Sequence, residues 1–304
     1  MDPRPSEDFA AFVSARQSSA RSTAAMRAPE PALHAVEGGL STATSSRRGP
    51  WSRLVEAAID VGAGVAYRLL RHPPDLLLKR LGVATPRRRT DFDTLARIVR
   101  TMDAIPGAVL ECGTHYGATL LGMAHILRGR GTPARLYGLD SFEGLPEPSP
   151  EDAFEDGTMH PWVRKGALNE ASFEELAARI RRMGFSDRIT VIKGFFEDTL
   201  PALASERFSL VHVDCDLYDS YITCLEFAYP RMLPGGYMVF DDYGSPVYVG
   251  AQRAVDEFFA GKPERIQFFP DSAGRRYFVL MGGGLAPGAQ DATTAPPQAE
   301  RRAA

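Results

Sequence analysis

The sequence predicts an α/β fold built on a doubly wound, mostly parallel sheet with helices on both faces. From residue 108 onward, short apolar segments alternate with longer segments whose apolar residues recur at helical spacing. Alternation of this kind is typical of parallel strands joined by helices. The last two apolar segments, at 266–269 and 277–281, have no helix between them and predict a closing hairpin.

Five short apolar segments are predicted as the parallel strands, because turn-forming residues bound them and none is long enough for a buried helix. These strands are residues 108–110, 135–139, 189–193, 208–213 and 236–240. The helices are predicted at 91–102, 118–127, 172–183, 220–229 and 250–259. Helix 91–102 is amphipathic, with Phe92, Leu95, Ile98 and Val99 on one face.

Both ends of the chain differ from this central part. Residues 1–50 have low complexity and no sustained periodicity, so we expect a disordered tail. Residues 51–90 are predicted as a helical N-terminal extension, interrupted where Pro73 and Pro74 break the helix. Residues 91–281 are the predicted globular domain. Residues 282–304 return to Gly, Pro and Ala and predict a second disordered tail.

Composition argues against several classes of protein. The chain carries 35 Lys+Arg against 38 Asp+Glu, so no basic character points to a nucleic-acid partner. No apolar stretch reaches the ~18–20 residues that span a bilayer, and no secretory signal is predicted at the N-terminus. Cys112, Cys215 and Cys224 form no metal or redox spacing, and we expect them to be buried, reduced thiols of a cytoplasmic protein.

Three acidic residues follow two neighbouring strands of the predicted sheet. Asp214 comes directly after strand 208–213, and Asp241 and Asp242 follow strand 236–240. If these strands are parallel and adjacent, their carboxyl ends meet at the edge where α/β folds bind ligands. Crowded carboxylates repel each other unless a cation neutralises them, and a divalent ion with oxygen ligands such as Mg²⁺ is the favoured solution.

A fourth acid, Asp216, lies two residues beyond Asp214. Because the chain turns there, Asp216 is placed to stand over the edge, free of the metal, and to take a proton from a bound hydroxyl. The alternative is a loop acid that caps the next helix, although Asp219 suits that position better.

The turn after the first strand reads Glu111-Cys112-Gly113-Thr114-His115-Tyr116-Gly117. Its glycines allow a tight turn and close approach of a ligand, but it is not the GxGxxG pattern of dinucleotide-binding proteins. A carboxylate at Glu111 suits a ligand with an ammonium group, such as the methionine part of S-adenosylmethionine. The alternative is an ordinary strand-to-helix turn.

Two further acids fit a nucleoside. Asp140 ends the second strand, where a carboxylate can accept both hydroxyls of a ribose, or with Ser141 can simply cap a turn. Phe195, Phe196 and Asp198 follow the third strand and fit an adenine pocket, although Asp198 alone also fits the start of a short helix.

The histidines are less informative. His212 lies in the middle of a strand and is predicted to be a hydrogen-bonded core histidine. His115 is expected near the cofactor. His160, in the acidic loop 140–166, either reaches a substrate or is simply exposed.

Five strings in one order carry a resemblance: "IPGAVLECGTHYGATL", "YGLDSFEGLPEP", "GFFEDTLP", "HVDCDLYDS" and "YPRMLPGGYMVFDDYG". Over residues 91–281 the chain resembles the macrocin O-methyltransferase (TylF-type) family. The resemblance implies a Rossmann-like class I methyltransferase domain that uses S-adenosylmethionine and magnesium to methylate sugar hydroxyls of antibiotics and related metabolites.

The resemblance also implies roles for individual residues. Asp214, Asp241 and Asp242 match the magnesium ligands, and Asp216 matches the general base. The matching cofactor positions are Glu111, Gly113, Asp140, Ser141 and Asp198, to which we add Thr114, Gly117 and Asp214 as candidates. One departure is that Tyr116, Gly117 and Ala118 stand where the family commonly has Arg followed by two glycines.

The implied activity is methyl transfer to a hydroxyl of a small sugar or secondary metabolite. Two alternatives stay open: a catechol-like phenolic O-methyltransferase, with Phe142, Phe154 and Trp162 available for an aromatic pocket, and a non-catalytic relative that keeps the cofactor-binding fold. Loop 144–165 and the helices before residue 91 are expected to form the acceptor pocket. The amphipathic N-terminal arm is compatible with a homo-oligomer.

Overall fold

A computed structural model describes residues 86–102, 105–270 and 276–294. The tail predicted at 1–50, the extension up to residue 85 and the last ten residues lie outside this part. The described residues form an eight-stranded sheet in the order β3-β2-β1-β4-β5-β7-β6-β8. The strands are β1 Ala108–Cys112, β2 Leu136–Asp140, β3 Ile189–Lys193, β4 Phe208–Val213, β5 Met232–Phe240, β6 Gln267–Phe268, β7 Tyr277–Leu280 and β8 Gln290–Asp291.

Helices cover both faces of the sheet, which confirms the predicted fold class. The α-helices are α1 Pro86–Thr101, α2 Ala118–Gly129, α3 Phe173–Arg182, α4 Phe196–Thr199, α5 Tyr218–Ala228 and α6 Val249–Phe259. Side chains from α1, α2 and α3 pack on one face, against residues such as Val109 and Val239. Those from α5 and α6 pack on the other, against Leu110 and Met238. Neighbouring strand residues point to opposite faces, so each central strand contributes to both cores.

Strands β1 to β5 run parallel, and β7 is antiparallel to both β5 and β6. The predicted hairpin is therefore present. The first strand is longer than predicted and continues through Glu111 and Cys112, because both residues are buried between β2 and β4. Glu111 thus belongs to the strand and not to the turn that follows it.

The prediction of a disordered tail from residue 282 was wrong for 282–294. Ala286 is buried, and its backbone N–H donates to Oε1 of the buried Gln267 at 2.7 Å. Strand β8 then pairs with β6 and extends the sheet by one strand. Glycine and proline composition predicted coil here, but the buried amide of Gln267 supplies hydrogen bonds that hold the segment in place.

Strand register brings the predicted site residues to one edge of the sheet. Cys112 pairs with Leu139 on one side and with Val213 on the other, and Val213 pairs with Phe240. The residues that follow these positions therefore lie side by side at the carboxyl edge. They are Gly113, Asp140, Asp214 and Asp241. Among the described residues, no helix combines the length and apolar character needed to cross a bilayer.

Gly113 is required by this arrangement. Its φ is +89°, and a Cβ at this position would lie 1.7 Å from the carbonyl oxygen of Asp214. The first turn of the site and the acidic edge can therefore approach each other only through a residue without a side chain.

We expect Gly113→Ala to reduce the free energy of unfolding by at least about 2 kcal/mol more than Gly131→Ala does. Gly131 has a similar φ of +73°, but a Cβ placed there would meet no atom within 4 Å, so it isolates the backbone penalty. Urea denaturation of the two variants measures the difference. Equal losses would show that the close contact with Asp214 does not matter.

Candidate active site

A cavity of about 450 Å³ lies at the carboxyl edge of the sheet. Its lining comes from the turns that follow β1, β2, β3, β4 and β5, and from the residue before β7. The site residues among them are Gly113, Thr114, His115, Asp140, Ser141, Phe195, Phe196, Asp214, Asp216, Asp241, Asp242, Tyr248 and Arg276. The structure therefore brings most of the sequence-predicted residues to one cavity.

A buried chain of three ionisable side chains, Glu111, His212 and Asp241, runs beneath this cavity. Nδ1 of His212 lies 3.1 Å from Oε1 of Glu111, and Nε2 lies 3.3 Å from Oδ1 of Asp241. Burial alone would favour neutral imidazole, but the two carboxylates outweigh it and raise the pKa of His212 to about 10. The imidazolium then donates one N–H to each acid. The prediction of a hydrogen-bonded core histidine is confirmed, and its partners belong to the site.

Glu111 has an oxygen that the described residues leave unsatisfied. The side chain is 1% exposed, and its Oε2 has no hydrogen-bond partner among them. Burial raises the pKa of Glu111, while the hydrogen bond to His212 lowers it. A buried carboxylate oxygen without a donor costs free energy, so this atom is suited to a ligand that brings a positively charged donor.

Asp241 has a second cationic neighbour, Arg276. Nη2 of Arg276 lies 2.9 Å from Oδ1 of Asp241, and Nη1 donates to the Asp241 backbone carbonyl at 2.5 Å. Sequence reasoning missed this contact, because Arg276 follows a polar loop and resembles any surface arginine. Strand pairing reveals it: Phe240 is opposite Tyr277, which places residues 241 and 276 next to each other.

Asp242 is held by the protein itself. Its Oδ2 accepts a hydrogen bond from the backbone N–H of Asp216 at 3.1 Å, and it lies 3.2 Å from the Tyr221 hydroxyl. That hydroxyl also accepts the backbone N–H of Asp242 at 3.1 Å and lies 3.0 Å from the carbonyl oxygen of Val213. Tyr221 therefore fixes the end of β5 against β4.

The aspartates at the edge repel one another. Burial and then the neighbouring carboxylates raise the pKa values of Asp214 and Asp216, and the same causes raise the pKa of Asp242 to about 7. An oxygen of Asp214 and an oxygen of Asp241 lie within 4.8 Å of each other and of a ring nitrogen of His212. Repulsion makes the negative charge on these crowded carboxylate oxygens energetically costly, and a bound divalent cation would offset it. Asp242 lies beside this group, with Oδ2 turned toward the Asp216 amide.

Asp216 occupies a constrained position in the loop between β4 and α5. Its φ is +64°, a left-handed conformation that Asp tolerates better than most residues. Tyr248, which precedes α6, lies near its carboxylate and partly offsets the rise in the pKa of Asp216. The carboxylate and Tyr248 both line the cavity.

Asp140 caps a turn, which is one of the two roles that the sequence left open, and the other, ribose binding, stays a prediction. Its Oδ2 accepts the backbone N–H of His115 at 2.8 Å and its Oδ1 accepts that of Phe142 at 2.7 Å, so it caps a turn. It also lines the cavity. The hydroxyl of Ser141 donates to the carbonyl of Gly144 at 2.9 Å and supports the same loop. The buried hydroxyl of Thr114 has no partner among the described residues.

Several predicted residues lie outside the cavity lining. Glu111 is one of them, since it is buried in β1 beneath the cavity. Gly117 precedes α2 and packs near Leu176, outside the cavity lining. Asp198 is exposed within α4, a helix that begins at Phe196. Glu197, one residue earlier in the same helix, lines the cavity in its place. His160 is also outside the lining.

Residues 82–264 match the family model described as Macrocin-O-methyltransferase (TylF), which is more than half of the chain. The chain belongs to this family. The resemblance carried by the five sequence strings is thereby confirmed.

Individual relatives agree with this assignment. The chain is 35% identical over 156 residues to the 8-demethyl-8-(2,3-dimethoxy-alpha-L-rhamnosyl)-tetracenomycin-C 4'-O-methyltransferase of Streptomyces olivaceus, which is 50% of this chain and 59% of that protein. It is 31% identical over 159 residues to the mycinamicin III 3''-O-methyltransferase of Micromonospora griseorubida, 51% of this chain and 61% of that protein. The matched region thus spans only about three fifths of either curated relative.

Two solved structures share the fold. The O-methyltransferase NovP is 26% identical with a TM-score of 0.51, over 63% of this chain and 79% of that one. The calicheamicin methyltransferase CalS11 has a TM-score of 0.56 over 78% of this chain and 95% of its own. At 21% identity, the second likeness shows the fold alone.

We expect Tyr221→Phe to lower the free energy of unfolding by ~1–3 kcal/mol, because the buried Asp242 N–H loses its acceptor. Tyr243→Phe is the matched control, since its hydroxyl donates to the exposed Asp256 at 2.7 Å and water can replace it there. Chemical denaturation compares the two. A loss no larger in Tyr221→Phe than in Tyr243→Phe would contradict the role of Tyr221 at the end of β5.

Proposed function

We propose that this protein is an O-methyltransferase that transfers the methyl group of S-adenosylmethionine to a hydroxyl of a sugar or a related secondary metabolite. The observation that carries the proposal is the aspartate cluster that lines the cavity, together with the unsatisfied oxygen of Glu111. Glu111 does not itself line the cavity but lies in β1, two residues before the lining residue Gly113. Family membership and the printed activities of the relatives support the same conclusion.

The donor would lie along the carboxyl ends of β1, β2 and β3. Oε2 of Glu111 suits its ammonium group, the oxygens of Asp140 suit the ribose hydroxyls, and Phe195 and Phe196 line the part of the cavity suited to adenine. S-adenosylmethionine would supply an electrophilic methyl group on a positively charged sulfur. The excess of carboxylates around the cavity favours that positive charge.

A magnesium ion would be held by Asp214, Asp241 and Asp242. The raised pKa values of Asp214 and Asp242 and the repulsion among the three carboxylates give the energetic reason for a cation there. When bound, Mg²⁺ would supply Lewis acidity toward the acceptor hydroxyl and lower its pKa.

Asp216 is the residue proposed to receive the hydroxyl proton. Asp216 lines the cavity, its backbone N–H donates to Asp242, and Tyr248 lies beside its side chain. Holding the acceptor oxygen in line with the bond between the methyl carbon and the sulfur, with the base beside the hydroxyl, would give much of the expected acceleration, since effective alignment can contribute up to ~7–11 kcal/mol.

The acceptor side of the cavity is formed by Leu145, Pro146 and Leu168 from the loop after β2, together with Tyr248. Asp152 anchors this loop, since its Oδ1 accepts the backbone N–H of Tyr218 at 2.8 Å. The aromatic residues that kept a catechol acceptor open do not line the cavity. They are Phe142, Phe154 and Trp162. A sugar hydroxyl is therefore the favoured acceptor.

The location of the protein in the cytoplasm and its assembly into a homo-oligomer stay predictions.

Methyl transfer is tested with isotopically labelled S-adenosylmethionine, Mg²⁺ and a panel of glycosylated antibiotics lacking single O-methyl groups, alongside catechols. Mass spectrometry should detect a labelled methyl group on a sugar, and a chelator should abolish the product. Undiminished product formation in the presence of the chelator would show that methyl transfer does not require magnesium. Cofactor binding with no product across the panel would favour a non-catalytic relative.

Asp216→Asn should reduce turnover by ~10²-fold or more, because the variant lacks the proton acceptor. Asn also tolerates the left-handed conformation, so the loop should be preserved. Affinity for S-adenosylhomocysteine should stay near that of the parent, and Asp219→Asn, in the first turn of α5, should keep full activity. Turnover of Asp216→Asn at the parental rate would refute the assignment of the base.

Glu111→Gln should weaken binding of S-adenosylhomocysteine by roughly 10-fold or more, since a charge-assisted hydrogen bond is lost. Binding of 5′-methylthioadenosine, which lacks the amino-acid part, should change little. Calorimetric titration with both ligands measures the ratio of their affinities. A general loss of folding would weaken the binding of both ligands and leave this ratio unaltered. Parallel losses for the two ligands would disprove the contact between Glu111 and the ammonium group.

A further inference from the structure

The environment of Asp241 differs from that of the other acids at the cavity. Its side chain and that of Arg276 are 18% and 16% exposed, so the ion pair between them is largely withdrawn from solvent. The guanidinium contacts both the carboxylate and the backbone carbonyl of Asp241. Two parallel contacts of this kind fix the arginine more firmly than a single surface ion pair would.

The fold dictates this pairing. Strands β5 and β7 are antiparallel, with Phe240 opposite Tyr277 and Val239 opposite Phe278. The residue directly after β5, Asp241, therefore lies next to the residue directly before β7, Arg276. The backbones of Arg276 and Asp241 are thus adjacent whenever the sheet is formed, and only the guanidinium group can change its contact.

Arg276 and a divalent cation would need the same carboxylate. The oxygen that Arg276 contacts, Oδ1 of Asp241, is also 3.3 Å from Nε2 of His212. An oxygen of Asp241 lies within 4.8 Å of an oxygen of Asp214, so an ion bound by these two acids would be a near neighbour of the guanidinium. Like charges at such distances repel, more strongly in a partly buried site than in water.

We propose that Arg276 is a built-in counter-cation that occupies Asp241 when no metal ion is bound and competes with the metal for it. Without metal, Arg276 offsets the repulsion among the aspartates and keeps the edge of the sheet folded. When a divalent ion binds, the guanidinium leaves the Asp241 carboxylate. Arg276 thus lowers the metal affinity of the site, and this inference rests on the metal-binding part of the proposed function.

The competition predicts opposite effects on metal binding and on stability. Arg276→Gln keeps much of the length and hydrogen-bonding ability of the side chain but removes the charge, whereas Arg276→Lys retains the charge. Calorimetric titration of the full-length protein with Mn²⁺ should show about threefold to tenfold tighter binding in Arg276→Gln and near-parental binding in Arg276→Lys.

Thermal unfolding provides a second measurement. In a chelator, Arg276→Gln should melt at a lower temperature than the parent, and saturating Mn²⁺ should raise its melting temperature by more than it raises the parent's. Unchanged or weaker Mn²⁺ binding by Arg276→Gln would overturn the competition while leaving the metal site intact. A parent and variants that all fail to bind Mn²⁺ would overturn both the metal part of the proposed function and this inference.

A crystal structure of the Mn²⁺-loaded parent tests the inference without any substitution. The distance between Nη2 of Arg276 and Oδ1 of Asp241, which is 2.9 Å in the present structure, should then exceed about 4 Å, the limit for an ion pair. An ion coordinated by Asp241 with this ion pair still in place would show that Arg276 supports the metal site and does not compete for it.

Discussion

Repulsion among carboxylates at one edge of the sheet is the constraint on which the rest of this site depends. Glu111, Asp140, Asp214, Asp216, Asp241 and Asp242 all belong to the ends of four adjacent parallel strands or the loops that follow them. Within the described residues, the cations that contact these acids most directly are His212 and Arg276. The remaining negative charge gives the cavity a strong preference for positively charged ligands.

The buried histidine gives this acidic edge an internal order. His212 lies between Glu111, the acid proposed to bind the ammonium group of the donor, and Asp241, one of the acids proposed to bind the metal. The positive charge of His212 offsets part of the negative charge of both acids at a place that solvent does not reach. Burying these charges costs free energy, and the arrangement is tolerated here because each N–H of the ring has an acceptor. The same side chain would otherwise be an ordinary core residue of β4.

The loop that precedes α3 completes the cavity on the side proposed for the acceptor. Leu145, Val163 and Ala167 pack against Leu217, one residue beyond the proposed base. Asp152 then ties the loop to the first turn of α5 through the N–H of Tyr218. Changes in this loop among family members therefore have a direct route to the position of Asp216, which offers a physical reason for different acceptors on one scaffold.

The sequence by itself determined the fold class, most strand positions and the residues that end the strands, because alternating periodicity and strand ends are local properties. Glu111, Asp140, Asp214 and Asp241 were found from that local signal alone. Only the tertiary structure decided that His212 bridges two acids, that Arg276 pairs with Asp241 and that residues 282–294 join the fold. Those contacts depend on which strands become neighbours and in which register, and no short stretch of sequence carries that information.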